Sequence, residues 1–435
     1  MTEDLAARLE ARLGTEIRDL RRLTGGASRE TWAFTAGDRH LVLRRDPPGA
    51  GRPEEMAREA AAIRAAAEAG VPEPPLVDAS SDPDVLGSPY VITGFVEGET
   101  IARRILREPA YAEARTHLAR DLGRVLARLH TIPLDAVPGL TRPDPLDTLV
   151  AAYHRLGEPL PAVELALHRL RRDRPEPVPD TVVHGDFRNG NLIIAPDGLK
   201  AVLDWEIVHR GDPREDLGWL CVKCWRFGAP GTVGGFGPLD DLLDGYAEVA
   251  GHRPDADAVR WWELYGTTRW AIGCRGQAER HLSGQTRSVE LAAIGRRVCE
   301  QEHDILLALG VPPAPESPRP PAPEPADLHG RPSVRELVEA VEEFLRTEVM
   351  PRTEPGLSFH ARVAANVLGI VGRELDDPTA DAEHRKELAR LGAADRAALA
   401  EGIRTGRLHP EDPEVLRVVR DEVTARLRVA NPRYL

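Results

Sequence analysis

The sequence predicts an α+β fold in which a small antiparallel β lobe is followed by a mainly helical lobe and a small all-α domain. Strand-like runs at 16–23, 30–35 and 40–44 lie near the start of the chain. Helical apolar periodicity dominates from residue 111 onward. Eight of the residues from 311 to 325 are proline, which indicates a semi-rigid extended linker before the last domain.

Length and composition describe a protein of two or three domains with an excess of negative charge. A chain of 435 residues exceeds one ordinary core. The net charge of −13 argues against a general binder of nucleic acids or anionic membranes. The N-terminus lacks the pattern of a signal peptide, and no apolar run reaches the roughly 18 residues of a membrane span. Four cysteines fit a reducing compartment. We therefore expect a cytoplasmic protein without nucleic-acid or membrane partners.

The N-terminal lobe is predicted to begin with a helix and to continue as strands joined by a glycine-bearing turn. Residues 2–13 place leucines on one helical stripe. Gly25, Gly26 and Ser28 lie in the turn between the first two strands. Such a turn can direct backbone N–H groups at phosphates, or it can be a plain hairpin turn.

The third strand carries a candidate phosphate-binding cation. Only three residues of the chain are lysines, and none precedes Lys200, so such a cation in the first half must be an arginine. Because side chains alternate along a strand, Arg44 points to the same side as Val42. Arginine keeps the charge and offers a two-pronged donor for phosphate, although it is longer than lysine. A helix over 53–69 and a strand over 88–96 complete the predicted lobe.

Polar residues also follow short strands later in the chain, where loop-mounted catalytic groups usually lie. Asp186 lies in the loop after the first of these strands, Asn191 lies five residues further, and Asp204 closes the third. Phosphoryl transfer needs an acceptor for the proton of a hydroxyl group and two oxygen ligands for magnesium. This spacing is the one that kinases use for those groups. The predicted strands are 181–183, 192–195 and 200–203.

These motifs resemble the aminoglycoside phosphotransferase and choline kinase-like group, relatives of the protein kinases. In that group an HGDxxxxN loop and a D-[WF]-[ED] triplet replace the corresponding protein-kinase motifs. Here they are His184-Gly185-Asp186 with Asn191, and Asp204-Trp205-Glu206. The glycine turn also fits the group's GG-x-S-[NR]-x-T pattern. The resemblance implies a bilobal protein-kinase-like fold with a small β N-lobe and a mainly helical C-lobe, and it implies ATP and Mg²⁺ as cofactors.

Chemical roles follow from the resemblance at the catalytic end of the site. Asp186 orients the acceptor hydroxyl and accepts its proton, and Arg188 neutralises charge on the acceptor or the transferred group. Asn191 and Asp204 hold the metal. His184 and Asp216 are expected to brace the loop.

At the nucleotide end, the resemblance implies that Arg44 steadies the α and β phosphates and that Glu59 holds Arg44. Adenine is expected to bond to the backbone near Thr93 and Phe95. The turn that contains Gly25, Gly26 and Ser28 is expected to cover the phosphates.

The acceptor is predicted less sharply than the reaction. The run Leu43-Arg44-Arg45 before Pro47 and Pro48 resembles the branch of the family associated with acyl-CoA dehydrogenases. That branch suggests a hydroxyacyl acid or its CoA thioester as the small-molecule hydroxyl acceptor. An aminoglycoside or macrolide antibiotic is the alternative within the enzyme class. From another class, the chain could be a catalytically weak nucleotide-binding module that recruits a partner through its last domain.

The predicted domains are an N-lobe over 1–96, a C-lobe over 97–310, a proline-rich linker over 311–327 and a helical domain over 328–435. Ser333 and Glu336 form a capping-box pattern at the start of the last domain's first helix. This domain resembles an uncharacterised helical module appended to such kinases, and a protein partner or a homodimer is expected to form through it. Its further helices are predicted at 358–375, 381–404 and 413–429.

Overall fold

A computed structural model of the chain describes residues 2–23, 29–47, 49, 51–315 and 330–435. It contains two compact units, one formed by 1–143 and 175–266 and the other by 144–174 and 267–435. The strands are β1 (Ile17–Arg22), β2 (Glu30–Ala36), β3 (Arg39–Arg45), β4 (Leu76–Ser80), β5 (Tyr90–Gly94), β6 (Thr181–Val183), β7 (Leu192–Ala195), β8 (Gly198–Val202) and β9 (His209–Gly211). The helices are α1 (Thr2–Leu13), α2 (Pro53–Glu68), α3 (Pro83–Leu86), α4 (Ala102–Arg107), α5 (Ala112–Leu129), α6 (Pro145–Leu156), α7 (Pro161–Arg172), α8 (Arg214–Cys221), α9 (Leu239–Ala250), α10 (Ala256–Leu282), α11 (Val289–Arg296), α12 (Val298–Ala308), α13 (Val334–Phe344), α14 (Pro355–Leu375), α15 (Ala380–Arg390), α16 (Arg396–Arg404) and α17 (Pro413–Ala430).

The first unit opens with an antiparallel five-stranded sheet in the order β1-β2-β3-β5-β4. Alternation along the strands sends one set of side chains into a core that also receives Leu5 and Leu9 from α1. Leu43 is fully buried in this core. Arg44 therefore projects from the opposite face of β3, as the alternation predicts.

Helices and two short β ribbons form the rest of the first unit. The β7–β8 ribbon turns at the predicted Pro196-Asp197-Gly198 sequence. The β6–β9 ribbon, which the sequence did not reveal, pairs Val183 with His209. Together the ribbons hold both ends of the 184–191 loop, because β6 ends and β7 begins at that loop.

Helices α5 and α9 pack at very short range through two glycines. A Cβ atom at Gly123 would collide with the backbone of Leu242, and one at Gly245 would collide with the backbone of Arg120. The close approach therefore requires glycine at both positions. Leu122 and Leu126 of α5 lie in the same core as Val182 and Leu192, which come from the strands on either side of the 184–191 loop.

The second unit is helical in its described residues. One predicted helix, 381–404, is wrong: α15 ends at Arg390 and α16 begins at Arg396. Gly392 between them adopts a positive φ of 67°, which stops a right-handed helix, and the Asp395 side chain caps α16. The predicted capping box at Ser333 and Glu336 is confirmed. No helix within the described residues has the length and apolarity needed to cross a membrane.

Candidate active site

The 184–191 loop presents Asp186 as a carboxylate held by three side-chain donors. Its Oδ1 accepts hydrogen bonds from Arg188 Nε at 2.9 Å and from Trp219 Nε1 at 2.8 Å. Its Oδ2 accepts one from Asn191 Nδ2 at 2.7 Å. The side chain is still 18% exposed. The predicted residues Asp186, Arg188 and Asn191 therefore meet in one cluster with a fixed, accessible carboxylate.

Two buried groups brace this loop from beneath. Asp216 accepts hydrogen bonds from the backbone N–H groups of His184 at 2.8 Å and Gly185 at 2.9 Å. Burial alone would raise the pKa of Asp216, but the hydrogen bond and charge of His130 lower it overall. The carboxylate is therefore ionised. His130 itself lies within 3.3 Å of Asp216 through Nε2.

His184 contributes a neutral imidazole rather than a charge. Burial lowers its pKa. Its Nδ1 accepts the backbone N–H of Asp186 at 3.1 Å, and its Nε2 lies 3.1 Å from the carbonyl oxygen of Leu203. This pattern requires the proton on Nε2. His184 thus ties the 184–191 loop to the segment that carries Asp204.

Asp204 follows β8 in a left-handed conformation with φ of 72°, which is sparsely populated by residues other than glycine. Its Oδ1 accepts a hydrogen bond from Arg44 Nη2 at 2.8 Å. Burial would raise the pKa of Asp204, but the nearby charge and hydrogen bond of Arg44 lower it overall. The next residue, Trp205, is buried and donates from Nε1 to Glu73 at 3.1 Å, which fixes the segment.

Arg44 joins two other predicted site residues. Its Nη1 donates to Glu59 Oε1 at 3.0 Å while its Nη2 donates to Asp204. The Glu59 side chain is 1% exposed, whereas that of Arg44 is 25% exposed. Arg44 therefore connects the buried face of α2 to the segment that carries Asp204. Part of the Arg44 side chain remains accessible.

The remaining residues predicted at the nucleotide site are Thr93 and Phe95 and the three turn residues Gly25, Gly26 and Ser28. Thr93 lies in β5, paired with Val42 and Leu76, and Phe95 is 49% exposed just beyond it. The N–H of Gly94 donates to Pro75 and that of Phe95 donates to His40. A base at this segment would therefore use other backbone groups. The predicted residues Gly25, Gly26 and Ser28 lie outside the described residues.

The metal site predicted at Asn191 and Asp204 has suitable atoms but is not a complete cage. Asp204 is an ionised carboxylate, and Asn191 donates through its amide nitrogen, which leaves the amide oxygen for a cation. Among the described residues, no three His, Cys, Asp or Glu side chains converge on one metal position. Mg²⁺ commonly takes one or two protein oxygens and completes its shell with phosphates and water. The two residues fit that mode.

Two further residues at the site were not predicted. Trp219 reaches Asp186 from α8, and no sequence pattern distinguishes it from the other tryptophans. Arg29 lies directly before β2, and its side chain pairs with both Asp46 and Glu59. It fills the [NR] position of the GG-x-S-[NR]-x-T pattern, which was the signal available for it.

One basic and two aromatic side chains lie next to Asp186 or to each other. The guanidinium carbon of Arg188 lies 4.5 Å from the ring centroid of Trp225, a cation–π distance. The rings of Trp219 and Trp225 lie 5.3 Å apart. The surroundings of Asp186 therefore combine the Arg188 cation with two buried indole rings.

Comparison with known proteins gives two matching family models. The model described as the phosphotransferase enzyme family matches residues 19–262, more than half of the chain. A second, described as a domain of unknown function (DUF6285), matches residues 351–434.

Curated relatives match between about half and two thirds of the chain. Acyl-CoA dehydrogenase family member 10 of Mus musculus is 30% identical over 295 residues, which cover 62% of this chain and 27% of that protein. Acyl-CoA dehydrogenase family member 11 of Gallus gallus is 30% identical over 215 residues, which cover 46% of this chain and 27% of that protein. The chain thus spans about a quarter of the length of the curated relatives it matches.

Solved structures match the architecture at low sequence identity. A Ralstonia eutropha JMP134 protein, assigned provisionally to the aminoglycoside phosphotransferases, has a TM-score of 0.55 at 22% identity and covers 69% of this chain and 96% of its own. A thermostable mutant of aminoglycoside phosphotransferase APH(4)-Ia, complexed with AMP-PNP and hygromycin B, has a TM-score of 0.50 at 18% identity and covers 70% and 98%. These similarities confirm the predicted protein-kinase-like fold.

Proposed function

The chain belongs to the phosphotransferase enzyme family, as its motifs predicted, and on this premise we propose that it transfers a phosphoryl group from Mg-ATP to a hydroxyl group of a small molecule. The proposal is supported by three hydrogen bonds between predicted site residues. Asn191 donates to Asp186, and Arg44 donates to both Asp204 and Glu59. These are the groups that phosphoryl transfer requires in one place.

In the proposed reaction Asp186 is the group that handles the proton. Its carboxylate is held by three donors and remains accessible, so it can orient an acceptor hydroxyl and accept its proton. A positioned acid–base group typically accelerates a reaction by about 10²–10⁴-fold. Arg188, which already contacts Asp186, lies where it can neutralise charge on the acceptor or on the transferred group.

At the nucleotide end, Asn191 and Asp204 would hold Mg²⁺, which when bound neutralises charge on the phosphates. Arg44 keeps its contact with Glu59 and offers its second prong to the phosphates. The backbone near Thr93 and Phe95 is proposed to hold adenine through groups other than the Phe95 N–H. The turn with Gly25, Gly26 and Ser28 is proposed to cover the phosphates.

For the acceptor we propose a hydroxyacyl acid or its CoA thioester. The support is the 30% identity with two acyl-CoA dehydrogenase family members and the Arg188 cation beside Asp186. An antibiotic acceptor is the alternative, since APH(4)-Ia was crystallised with hygromycin B. A weak nucleotide-binding module would instead bind Mg-ATP without turnover.

The domain boundaries 1–96, 97–310, 311–327 and 328–435 remain part of the proposal, as does a protein partner or homodimer for the last domain. Support for a partner comes from α13, where four apolar side chains are more than half exposed: Val334, Leu337, Val341 and Phe344. The four cysteines are buried thiols, which fits the proposed cytoplasmic location.

The proposed function is tested by ADP release and by mass detection of a phosphorylated acceptor. The panel contains hydroxy acids, their CoA thioesters, aminoglycosides and macrolides, each with Mg-ATP. Turnover with a hydroxyacyl compound supports the full proposal, and turnover with an antibiotic instead replaces the acceptor class. Mg-ATP binding without turnover on any acceptor would favour the weak nucleotide-binding module.

A further inference from the structure

Three buried charged side chains lie next to Arg44, namely Arg29, Asp46 and Glu59. The proposed chemistry does not use Arg29 or Asp46. The Arg29 guanidinium contacts Asp46 Oδ1 through Nε at 3.2 Å and pairs with Glu59 Oε2 through Nη1. The side chains of Arg29, Asp46 and Glu59 are each at most 1% exposed. Charges buried this deeply persist only when they are paired, so the three side chains act as one set.

This set continues into the candidate active site as a line of alternating charge. Glu59 is shared, because its Oε2 pairs with Arg29 while its Oε1 accepts from Arg44. Arg44 in turn pairs with Asp204. Exposure rises along the line, from the fully buried Asp46 to 25% at Arg44 and 28% at Asp204. Charge changes at the buried end will therefore be felt at the accessible end.

Arg29 decides how much of the Arg44 charge is available to a ligand. Without Arg29, the buried Glu59 carboxylate would be balanced by Arg44, whereas Asp46 would keep the half-exposed Arg52 nearby. The negative charge of Glu59 would then hold Arg44 more tightly and would repel phosphates, because charge interactions are strong where water is excluded. With Arg29 in place, Glu59 keeps its position and is already neutralised from behind.

We propose that Arg29 is a positioning residue for nucleotide binding: it holds and neutralises Glu59, so that Arg44 can exchange Asp204 for the phosphates. This inference rests on the proposed function in that it assumes a nucleotide at Arg44. Burial lowers the pKa of Arg29, and the nearby Arg44 lowers it further, which is consistent with two cations sharing one carboxylate.

The test is calorimetric titration of Mg-ATP into the full-length protein and four variants, with thermal unfolding measured in parallel. Arg29→Met removes the charge, Arg29→Lys retains it, Glu59→Gln removes the shared carboxylate, and the double variant combines Arg29→Met with Glu59→Gln. Arg12→Met is the matched control, because Arg12 makes a two-pronged pair with Asp78 in the same lobe. It is expected to alter thermal stability without altering ATP affinity.

Arg29→Met is expected to weaken ATP binding about tenfold or more, the equivalent of about 1.4 kcal/mol, while Arg29→Lys stays within about threefold of wild type. In the Glu59→Gln background, Arg29→Met is expected to change affinity by less than about twofold, because the residue acts through Glu59. Equal affinity of Arg29→Met and wild type overturns the inference, as does an equal loss in both backgrounds. If Arg29→Met does not fold, two other measurements test the inference. They are the Mg-ATP affinity of Arg29→Lys and the effect of Arg29→Met on Mg-ATP affinity in the Glu59→Gln background. Absence of ATP binding by the wild type would instead contradict the proposed function.

Discussion

At the scale of single residues, the environment of Asp186 is defined by donors from three different positions. Arg188 and Asn191 come from the same loop, and Trp219 comes from α8. A carboxylate held in this way cannot rotate freely, so its lone pairs keep a fixed direction. Trp219 is buried, and its indole N–H is a neutral donor. Substituting Trp219 therefore removes a hydrogen bond without changing the charge of the site.

Trp219→Phe tests that orienting contact. Hydrogen bonds to a charged group are worth about 1.5–3 kcal/mol, so kcat for phosphoryl transfer should fall about tenfold or more while KM for ATP stays nearly constant. Steady-state kinetics on the acceptor identified by the panel provide the measurement. Trp261→Phe, at a buried tryptophan that stacks on Tyr265, is the control. Equal loss of kcat in both variants would assign the effect to packing.

Residue identities at the site were predictable where a motif fixes spacing, and unpredictable where tertiary packing brings groups together. The positions of Asp186, Asn191 and Asp204 follow from the motifs, and the structure places Arg44 against Glu59 and Asp204. Trp219 and Arg29 contribute through contacts that span 33 and 30 positions of the sequence. The GG-x-S-[NR]-x-T pattern includes the position of Arg29, but no local pattern records the contacts that either residue makes.

At the scale of elements, the α5–α9 contact depends on the absence of a side chain. Alanine is normally the better helix former by about 1 kcal/mol, yet a methyl group at Gly245 would meet the backbone of Arg120. The Gly245→Ala variant should therefore be destabilised by about 1–3 kcal/mol, the usual effect of overpacking. Urea unfolding measures this change.

Gly276→Ala is the matched control for that experiment. Gly276 lies within α10, and a Cβ atom there would meet nothing within 4 Å. The same substitution should stabilise the protein by about 0.5–1 kcal/mol. Changes of the same sign at both glycines would refute the packing argument.

The β6–β9 ribbon predicts a pH dependence. His209 lies 3.3 Å from Glu215. Burial would lower the pKa of His209, but the hydrogen bond and charge of Glu215 raise it overall. A histidine whose folded pKa is raised contributes stability below its unfolded pKa of about 6.5 and loses that contribution as pH rises through the folded value.

His209→Gln should therefore reduce the free energy of unfolding more at about pH 5.5 than at about pH 8.5. Urea unfolding of both proteins at the two pH values gives the comparison. A difference between wild type and variant that is independent of pH would show that the charged form of His209 is not the stabilising one.

Element boundaries were predictable where capping and turn residues are present. The Ser333–Glu336 capping box and the Pro196–Gly198 turn are both found. The division of the predicted 381–404 helix was missed because Gly392 lies within an otherwise helical pattern. Glycine inside such a pattern is compatible with either a helix or a stop, and only the Asp395 cap decides for the stop.

At the scale of the whole molecule, the second unit is built around charges rather than an apolar core alone. Glu302 of α12 is fully buried and pairs with Arg396 at 3.2 Å and with Arg426 at 2.7 Å. Burial would raise the pKa of Glu302, but both arginines lower it overall. The three helices α12, α16 and α17 are thus joined through one carboxylate.

Glu302→Gln should destabilise the protein strongly, because Arg396 and Arg426 would lose one of the two buried carboxylates that they share, Glu302 and Glu422. Breaking a buried pair typically costs about 3–5 kcal/mol. Asp257→Asn, which breaks an exposed pair with Arg260, should change stability by no more than about 1 kcal/mol. Calorimetric unfolding of the two variants separates these cases, and a small effect at Glu302 would contradict the structural role of the cluster.

The proposed phosphoryl transfer depends most on Asp186, the group that accepts the proton of the hydroxyl. The most direct measurement compares turnover of wild type and Asp186→Asn with Mg-ATP and the acceptor identified by the panel, together with ATP affinity of each. We expect kcat to fall by about 10²–10⁴-fold while ATP affinity is retained, because Asn preserves the size of the side chain and removes only its basicity. Turnover that survives the substitution would contradict the proposed mechanism.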